Sequence, residues 1–327
     1  MDTGTHVVMG IALGGLATLD PVVAGNPEMT QAAMIGVLIG SQAPDFDTVL
    51  KLRNNATYIR NHRGVTHSIP FWFIWPTLIT LLLYLLMPNL NLYHLWTWIF
   101  FAVFLHVFVD IFNAYGTKAF APIYPRWLAL GVINIFDPFI FIAHIISITL
   151  WRIGFHPGWT FLTMFVVIII YYLWRISAQR KIYVKLKSLH PDATHIFTSP
   201  TFKWNSWHLV VRTKDMMHVA ASIKGRITYY ESYPFEPIPD DRVINAARKD
   251  KNLSAFLSFS PAYRWVTSIE KHGYSVKFID LRYRSKGHYP FVAIVRLDED
   301  LNILNSYTGW IYNRETLKRK IEVATNE

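Results

Sequence analysis

Long apolar runs dominate the first half of the chain. Four of them lie at residues 69–87, 94–112, 138–151 and 159–174. Runs of this kind are typical of helices that cross a bilayer, where about 20 apolar residues are needed. Two shorter segments, 6–19 and 31–43, are rich in Gly and Ala, and such segments pack closely against neighbouring helices. The pattern predicts a polytopic membrane bundle of about six helices, at least four of which span the bilayer.

The pattern changes near residue 175. Short stretches of alternating apolar and polar residues recur there, separated by Pro, Gly and charged turns, which is typical of antiparallel strands. These stretches lie at 207–213, 218–223, 225–233, 274–284 and 288–298. Residues 240–258 have the pattern of a helix.

We therefore predict a mostly α fold with three parts. A membrane-embedded helical domain covers residues 1–174, a basic linker or helix covers 175–189, and a soluble β-rich (α+β) domain covers 190–327. The charge supports this division: residues 1–174 contain seven Lys/Arg and seven Asp/Glu, whereas the remainder contains 25 and 15. The whole excess of the net charge of +10 lies in the last part.

Lys and Arg near the ends of the spans also orient the bundle, because cytoplasmic loops are enriched in them. Loops on one side carry six such residues and loops on the other carry only Arg152. The sequence thus predicts a multi-pass protein of the bacterial cytoplasmic membrane whose C-terminal domain is cytoplasmic.

Eight His and Asp residues of the apolar domain fall toward the predicted cytoplasmic ends of its helices. They are His6, Asp45, Asp47, His62, His67, His106, Asp110 and Asp137. His106 and Asp110 are four residues apart, which places them on one helix face. A buried Asp is costly unless it is paired or binds a metal. Because the chain has no Cys, its N and O ligands suit zinc or manganese.

A divalent metal held there would activate water for attack on a phosphoester. Arg63 could bind a phosphate through two hydrogen bonds, and Ser68 could donate another. The sequence therefore predicts a membrane-bound hydrolase that carries a divalent metal, with zinc as the first choice and manganese as the second. Its substrate would be a small-molecule or lipid phosphoester, and membrane lipids would be its partners. The predicted catalytic residues are His62, Arg63 and Asp47, and the predicted metal ligands are His6, Asp45, His67, His106, Asp110 and Asp137.

Simpler interpretations of single residues stay open. Asp137 precedes a proline and would serve equally as a helix N-cap, and Arg63 is also one of the positive residues of the cytoplasmic side. His144 lies in mid-span without a nearby carboxylate, which is more typical of packing.

Two other classes of protein also stay open. The bundle could be a non-catalytic scaffold or regulatory protein held by a structural metal. It could also be a transporter, although transporter sites usually lie near the membrane midplane. The basic C-terminal part suits an anionic lipid surface, and no motif predicts nucleic acid as a partner.

Five short motifs resemble the YdjM family of bacterial inner-membrane proteins. They are GTH at 4–6, APDFD at 43–47, HRGVTHS at 62–68, HVFVD at 106–110 and FDP at 136–138. The resemblance covers about residues 1–180, and the C-terminal part resembles the YfhP-type branch. The likeness implies a metal-dependent hydrolase.

The family is in turn distantly similar to the zinc-dependent phospholipases C and the single-strand-specific zinc nucleases. That likeness implies metal ligands at Asp45, His67, His106 and Asp110, with His6 nearest the place of the N-terminal ligands. The chain lacks the N-terminal Trp of those enzymes and the HxxxE pair that follows their fourth ligand. One or two metal ions are therefore expected rather than three.

Overall fold

The computed structural model describes residues 1–285 and 287–312. The chain forms two compact units. The first comprises residues 1–47, 62–181 and 202–204, and the second comprises 48–61, 182–201 and the chain from 205 onward. The predicted combination of a helical bundle with a β-rich domain is confirmed. Residues 48–61, from the middle of the predicted membrane domain, belong to the second unit.

Eight α-helices precede the first strand. They are α1 (Thr3–Leu16), α2 (Pro21–Ala24), α3 (Pro27–Gly40), α4 (Asn55–Asn61), α5 (Ile69–Leu86), α6 (Leu92–Ile111), α7 (Pro138–Arg152) and α8 (Pro157–Leu189). Short 3₁₀ helices occupy Ala17–Leu19, Ala43–Leu52 and Val65–His67. All of these except α4 and the end of α8 contribute to the first unit; the helix Ala43–Leu52 crosses between the units.

Three helices among the described residues are long and apolar enough to cross a membrane: α5, α6 and α8. The predicted fourth span is α7, which has only 15 residues and so a length of about 22 Å, shorter than the ~30 Å of a bilayer's apolar core. The predicted span at 159–174 and the basic segment after it form one continuous helix, since α8 runs for 33 residues.

The small-residue segments pack as predicted. A Cβ atom on Gly14 of α1 would lie 3.3 Å from the Cα of Met34 in α3, and one on Gly10 would lie 3.3 Å from the Cα of Leu38. The backbones of α1 and α3 therefore approach each other at a distance that only small residues permit.

Contacts at one end of the bundle agree with the predicted alternation of the helices. Asp20, which follows α1, accepts hydrogen bonds from His94 at 2.6 Å and from Trp98 at 3.0 Å, both on α6. The loops after α1 and before α6 thus lie at the same end of the bundle.

The second unit contains two four-stranded antiparallel sheets, each with its strands in sequence order. The first holds β1 (His195–Pro200), β2 (Ser206–Arg212), β3 (Met216–Ile223) and β4 (Arg226–Pro234). The second holds β5 (Tyr263–Glu270), β6 (Gly273–Asp280), β7 (Phe291–Leu297) and β8 (Ile303–Trp310). Helices α9 (Arg242–Arg248) and α10 (Lys251–Phe259) lie between the sheets in sequence.

The helix predicted at 240–258 is thus two helices. Asp250 separates them, because its side chain accepts a hydrogen bond from the Leu253 N–H and caps α10. Phe256 of α10 packs in a core with Phe278 and Phe291 of the second sheet. This core also receives Ile59 of α4.

Candidate metal centre

Two of the predicted ligands lie one turn apart on α6. The Nε2 atom of His106 is 3.7 Å from Oδ2 of Asp110, and both side chains are fully buried. The other ring nitrogen of His106, Nδ1, lies 2.7 Å from the carbonyl oxygen of Ser41. Because a carbonyl can only accept, Nδ1 carries a hydrogen, and Nε2 is the ring atom that lies toward Asp110.

Two further ligands come from the 3₁₀ helices that follow α3 and precede α5. Oδ1 of Asp45 lies 3.5 Å from Nε2 of His67 and 3.7 Å from Nε2 of His106. His67 Nε2 is in turn 3.6 Å from Oδ2 of Asp110. The indole of Trp72, one turn into α5, donates a hydrogen bond to the carbonyl of His67 at 2.9 Å and fixes the turn that carries this histidine.

These four atoms fit a metal ion. Each is buried without a hydrogen-bond partner among the described residues, and all lie within 4.8 Å of one another. A tetrahedron with ligand distances of about 2.0–2.1 Å has edges of about 3.3 Å, close to the four distances of 3.5–3.7 Å given above. An unsatisfied buried polar atom costs about 1–3 kcal/mol, so four converging ones form a site that a cation would stabilise. The residues Asp45, His67, His106 and Asp110 could therefore hold one.

The protonation states favour a cation as well. Burial lowers the pKa of His67 to about 4, so at neutral pH this imidazole is uncharged and able to bind a metal. Burial alone would raise the pKa of Asp45, but the nearby His106 and His67 lower it well below its usual range. Asp45 is thus an ionised carboxylate.

Arg63 lies behind Asp110. Its guanidinium donates to Oδ1 of Asn113 at 3.2 Å and to the carbonyl of Met1 at 3.1 Å, and its Nε is 3.3 Å from Oδ2 of Asp110. The side chain is buried, and the backbone adopts φ 60°, a left-handed conformation. Its contacts are thus with protein acceptors, where its charge balances that of Asp110. A phosphate clamp would need the same donors.

Asp47 and His62 form a pair beside the four ligands. Nδ1 of His62 lies 2.7 Å from Oδ1 of Asp47 and 3.9 Å from Oδ1 of Asp45. The other oxygen of Asp47 accepts hydrogen bonds from the Thr66 hydroxyl at 2.8 Å and from the backbone N–H of Arg63 at 3.1 Å. The His62 side chain is 20 % exposed and that of Asp47 only 4 %. The histidine therefore lies toward solvent, and the carboxylate fixes its orientation.

His6 lies next to the cluster. Its ring stacks on that of His106 with centroids 3.7 Å apart, and its Nε2 is 3.5 Å from Oδ1 of Asp110. The amino group of Met1 contacts the same Asp110 oxygen and lies 3.0 Å from Nε2 of His6. His6 thus faces the side of Asp110 that is turned away from His67.

Asp137 and Ser68 have other contacts. Asp137 caps α7, because its Oδ1 accepts hydrogen bonds from the N–H groups of Phe139 and Ile140, and its Oδ2 accepts one from the Tyr171 hydroxyl at 2.8 Å. The structure therefore places Asp137 in the capping role that the sequence left open. The Ser68 hydroxyl donates to the carbonyl of Val65 at 2.6 Å.

The sequence did not indicate two residues that hold the centre together. Asn113 is fully buried, and its Oδ1 also accepts hydrogen bonds from the backbone N–H groups of Tyr115 and Gly116. The Thr66 hydroxyl lies 3.2 Å from Nδ1 of His67 and so joins that ring to Asp47. The sequence could have indicated them by position, since Asn113 lies three residues after Asp110 and Thr66 lies next to His67.

A helical unit with apolar spans and a buried His/Asp cluster, joined to a β-rich unit, defines a class of membrane protein. The chain belongs to the YdjM inner membrane protein family, whose match covers residues 1–182. Residues 191–233 match the YfhP middle domain and residues 242–321 match the YfhP C-terminal alpha/beta plait domain. The predicted family and its YfhP-type branch are thereby confirmed.

Over 326 residues the chain is 53 % identical to a protein of Bacillus subtilis (strain 168) that bears the name "Uncharacterized protein YfhP". The alignment covers 99 % of this chain and 100 % of that relative. No solved structure matches the chain. The more distant likeness to the zinc-dependent phospholipases C stays a prediction.

Proposed function

We propose that the protein is a metal-dependent hydrolase of the bacterial inner membrane that cleaves a phosphoester. The observation that carries this proposal is the convergence of four buried ligand atoms, from Asp45, His67, His106 and Asp110, none of which has a hydrogen-bond partner among the described residues. Two imidazoles and two carboxylates at tetrahedral spacing suit zinc first and manganese second. When bound, such an ion supplies a Lewis acid and a water molecule of lowered pKa.

The pair of His62 and Asp47 supplies the proton transfer. Asp47 holds Nδ1 of His62 at 2.7 Å, which fixes the tautomer, as carboxylates do for catalytic histidines. His62 is the most exposed ionisable group beside the ligands, so it would exchange protons between solvent and the reacting water. Arg63 and Asn113 hold Asp110 in place.

A lipid phosphoester is the substrate class that the surroundings favour. Phe46 and Val65 flank the ligand-bearing turns and are 51 % and 65 % exposed. Such apolar side chains beside a polar centre at the end of membrane helices suit a site at the level of lipid headgroups. From the distribution of Lys and Arg we place this site and the C-terminal domain on the cytoplasmic side of a multi-pass bundle.

A non-catalytic protein with a structural metal is the second candidate, and one observation favours it. Structural zinc sites have four protein ligands, whereas catalytic ones keep a position for water. Here three of the four ligand side chains are fully buried, and only Asp45 is partly exposed, at 15 %. A catalytic centre would have to admit water on the Asp45 side.

One set of variants separates the two candidates. Purified, zinc-loaded protein in detergent would be tested on phosphodiester and phospholipid substrates, together with the variants Asp47→Asn and Asp45→Asn. We expect Asp47→Asn to retain metal and to lose about 10²–10⁴-fold in kcat, the usual contribution of a proton-transfer group. Asp45→Asn should lose metal.

Activity that is absent from the wild type, or unchanged in a metal-loaded Asp47→Asn variant, would contradict the hydrolase. Loss of folding in Asp45→Asn without any wild-type turnover would favour the structural metal.

A further inference from the structure

The chain leaves the first unit between two groups of site residues. Asp45 and Asp47 end one part of that unit and His62 begins the next, and residues 48–61 between them belong to the second unit. The hydrogen bond between Asp47 and His62 closes this segment at its base. The metal centre and the C-terminal domain are thus joined covalently at two points beside the ligands.

Helix α4 is well anchored in the second unit. Ile59 packs against the core of the second sheet, and Arg60 donates a hydrogen bond to the Ser254 hydroxyl of α10 at 2.5 Å. The side-chain amide of Asn55 donates to the carbonyl of Thr308 in β8. These contacts come from the core, a helix and a strand, so α4 is held as a constitutive part of the domain.

The connections from α4 to the site are short and regular. A single 3₁₀ helix, Ala43–Leu52, carries Asp45 and Asp47 and continues into the second unit. Only Arg53 and Asn54 separate it from α4, and the Asn54 side chain caps α4 through the Thr57 N–H at 2.7 Å. At its other end, α4 finishes at Asn61, directly before His62.

No flexible linker therefore lies on either side among these described residues. From α4 the backbone reaches Asp47 through Arg53, Asn54 and the 3₁₀ helix, and His62 directly follows the last residue of α4. Gly- or Ser-rich sequence, which would absorb a displacement of α4, is missing from residues 48–61.

We propose that α4 makes the C-terminal domain a positioning device for the metal centre, so that the state of this domain sets the affinity of the centre for its metal. Linkage requires the reverse effect with equal strength: metal binding must stabilise the C-terminal domain. The proposal rests on the metal site of the proposed function and not on hydrolysis, and both effects are measured without a substrate.

The test loosens both connections. A Gly/Ser insertion of about four residues is placed after Leu52 and another between Asn61 and His62, which leaves α4 and the ligands unchanged. The control carries the same insertion at Gly225, in the hairpin between β3 and β4, where a side chain would meet open space. Zinc dissociation constants of the full-length proteins in detergent are measured by chelator competition.

We expect the double insertion to weaken zinc binding about 10–100-fold, the usual effect of losing the groups that orient metal ligands, and the control to bind like the wild type. The reciprocal effect is read by hydrogen exchange at the amides of β7 and β8. Zinc should slow this exchange in the wild type and in the control, and leave it unchanged in the double insertion.

A point variant covers the case in which the insertions prevent folding. Ile59→Ala keeps the chain length and removes the packing of α4 against the core of the second sheet, so it should weaken zinc binding and reduce the zinc-dependent protection of β7. Equal zinc affinity in all foldable variants would overturn the proposal. So would a wild type whose β7 and β8 amides exchange at the same rate with and without zinc. A wild type that turns over no phosphoester would refute the hydrolase and leave these results standing.

Discussion

Two buried histidines of the helical unit allow a controlled test of the metal centre. His106 and His144 are 1 % and 0 % exposed. Each has Nδ1 at 2.7 Å from a backbone carbonyl, that of Ser41 for His106 and that of Ile140 for His144. Each also has an Nε2 without a hydrogen-bond partner among the described residues. Only the Nε2 of His106 lies within 4 Å of carboxylates.

The substitutions His106→Ala and His144→Ala should therefore have similar effects on folding and different effects on metal binding. Each removes one hydrogen bond, worth about 1 kcal/mol, and leaves a cavity, for a total of about 2–4 kcal/mol. A four-ligand zinc site is worth about 10–16 kcal/mol, so one ligand contributes about 2.5–4 kcal/mol. His106→Ala should thus weaken zinc binding about 10²–10³-fold.

The assay is elemental analysis of protein dialysed against a zinc buffer, combined with thermal melts with and without zinc. We expect His144→Ala to retain one zinc per chain and the wild-type increase in melting temperature on zinc addition, and His106→Ala to lose both. Equal zinc content in the two variants would refute the assignment of the converging atoms as ligands.

Three further predictions concern other parts of the chain. Arg63→Lys should weaken zinc binding about 10–100-fold in a chelator competition, because one ammonium cannot replace the contacts to Asp110, Asn113 and the Met1 carbonyl. The control Arg126→Lys, at an exposed position, should bind zinc like the wild type in the same assay. Gly14→Val should lower the melting temperature in detergent, because overpacking α1 against α3 costs about 1–3 kcal/mol; an unchanged melting temperature would contradict the close approach.

The third prediction concerns His208. Burial lowers the pKa of this histidine below its usual value of about 6.5, and its Nε2–H donates a hydrogen bond to the Leu281 carbonyl at 2.7 Å. The unfolded chain binds a proton on this imidazole more readily than the folded chain does. The contribution of neutral His208 to the stability of the second unit is therefore complete above about pH 6.5 and is lost as the pH falls through the lowered pKa. In denaturant titrations from about pH 7.5 to 5.5, the free energy of unfolding should depend less on pH in His208→Gln than in the wild type.

Much of the site could be predicted because its determinants are local. The spacing of His106 and Asp110 fixes their common face, and the turn in which Asp45 lies ends a small-residue helix. The orientation of the spans was predicted from Lys and Arg alone, without these His and Asp residues, and it still placed them at one end of the bundle. Strands β2, β3, β4, β6 and β7 were predicted from alternation alone.

The remainder depends on contacts between distant segments. Arg63 has polar donors that suit a phosphate equally well, and only the fold shows that Asn113 and the Met1 carbonyl accept from them. Likewise, the sequence of α4 resembles any polar loop between two spans. Its place in the second unit follows from the packing of Ile59 on a core whose buried residues begin at Ile244, 185 residues later.

Zinc-edge X-ray absorption of the purified wild type tests the central claim most directly. We predict one zinc per chain, bound by four N/O ligands at about 2.0–2.1 Å, with the scattering signature of two imidazoles. In a His67→Ala variant that still binds zinc, the number of imidazoles should fall to one. Protein that takes up no zinc after loading, or zinc whose first shell shows no imidazole and is unchanged in His67→Ala, would contradict the account.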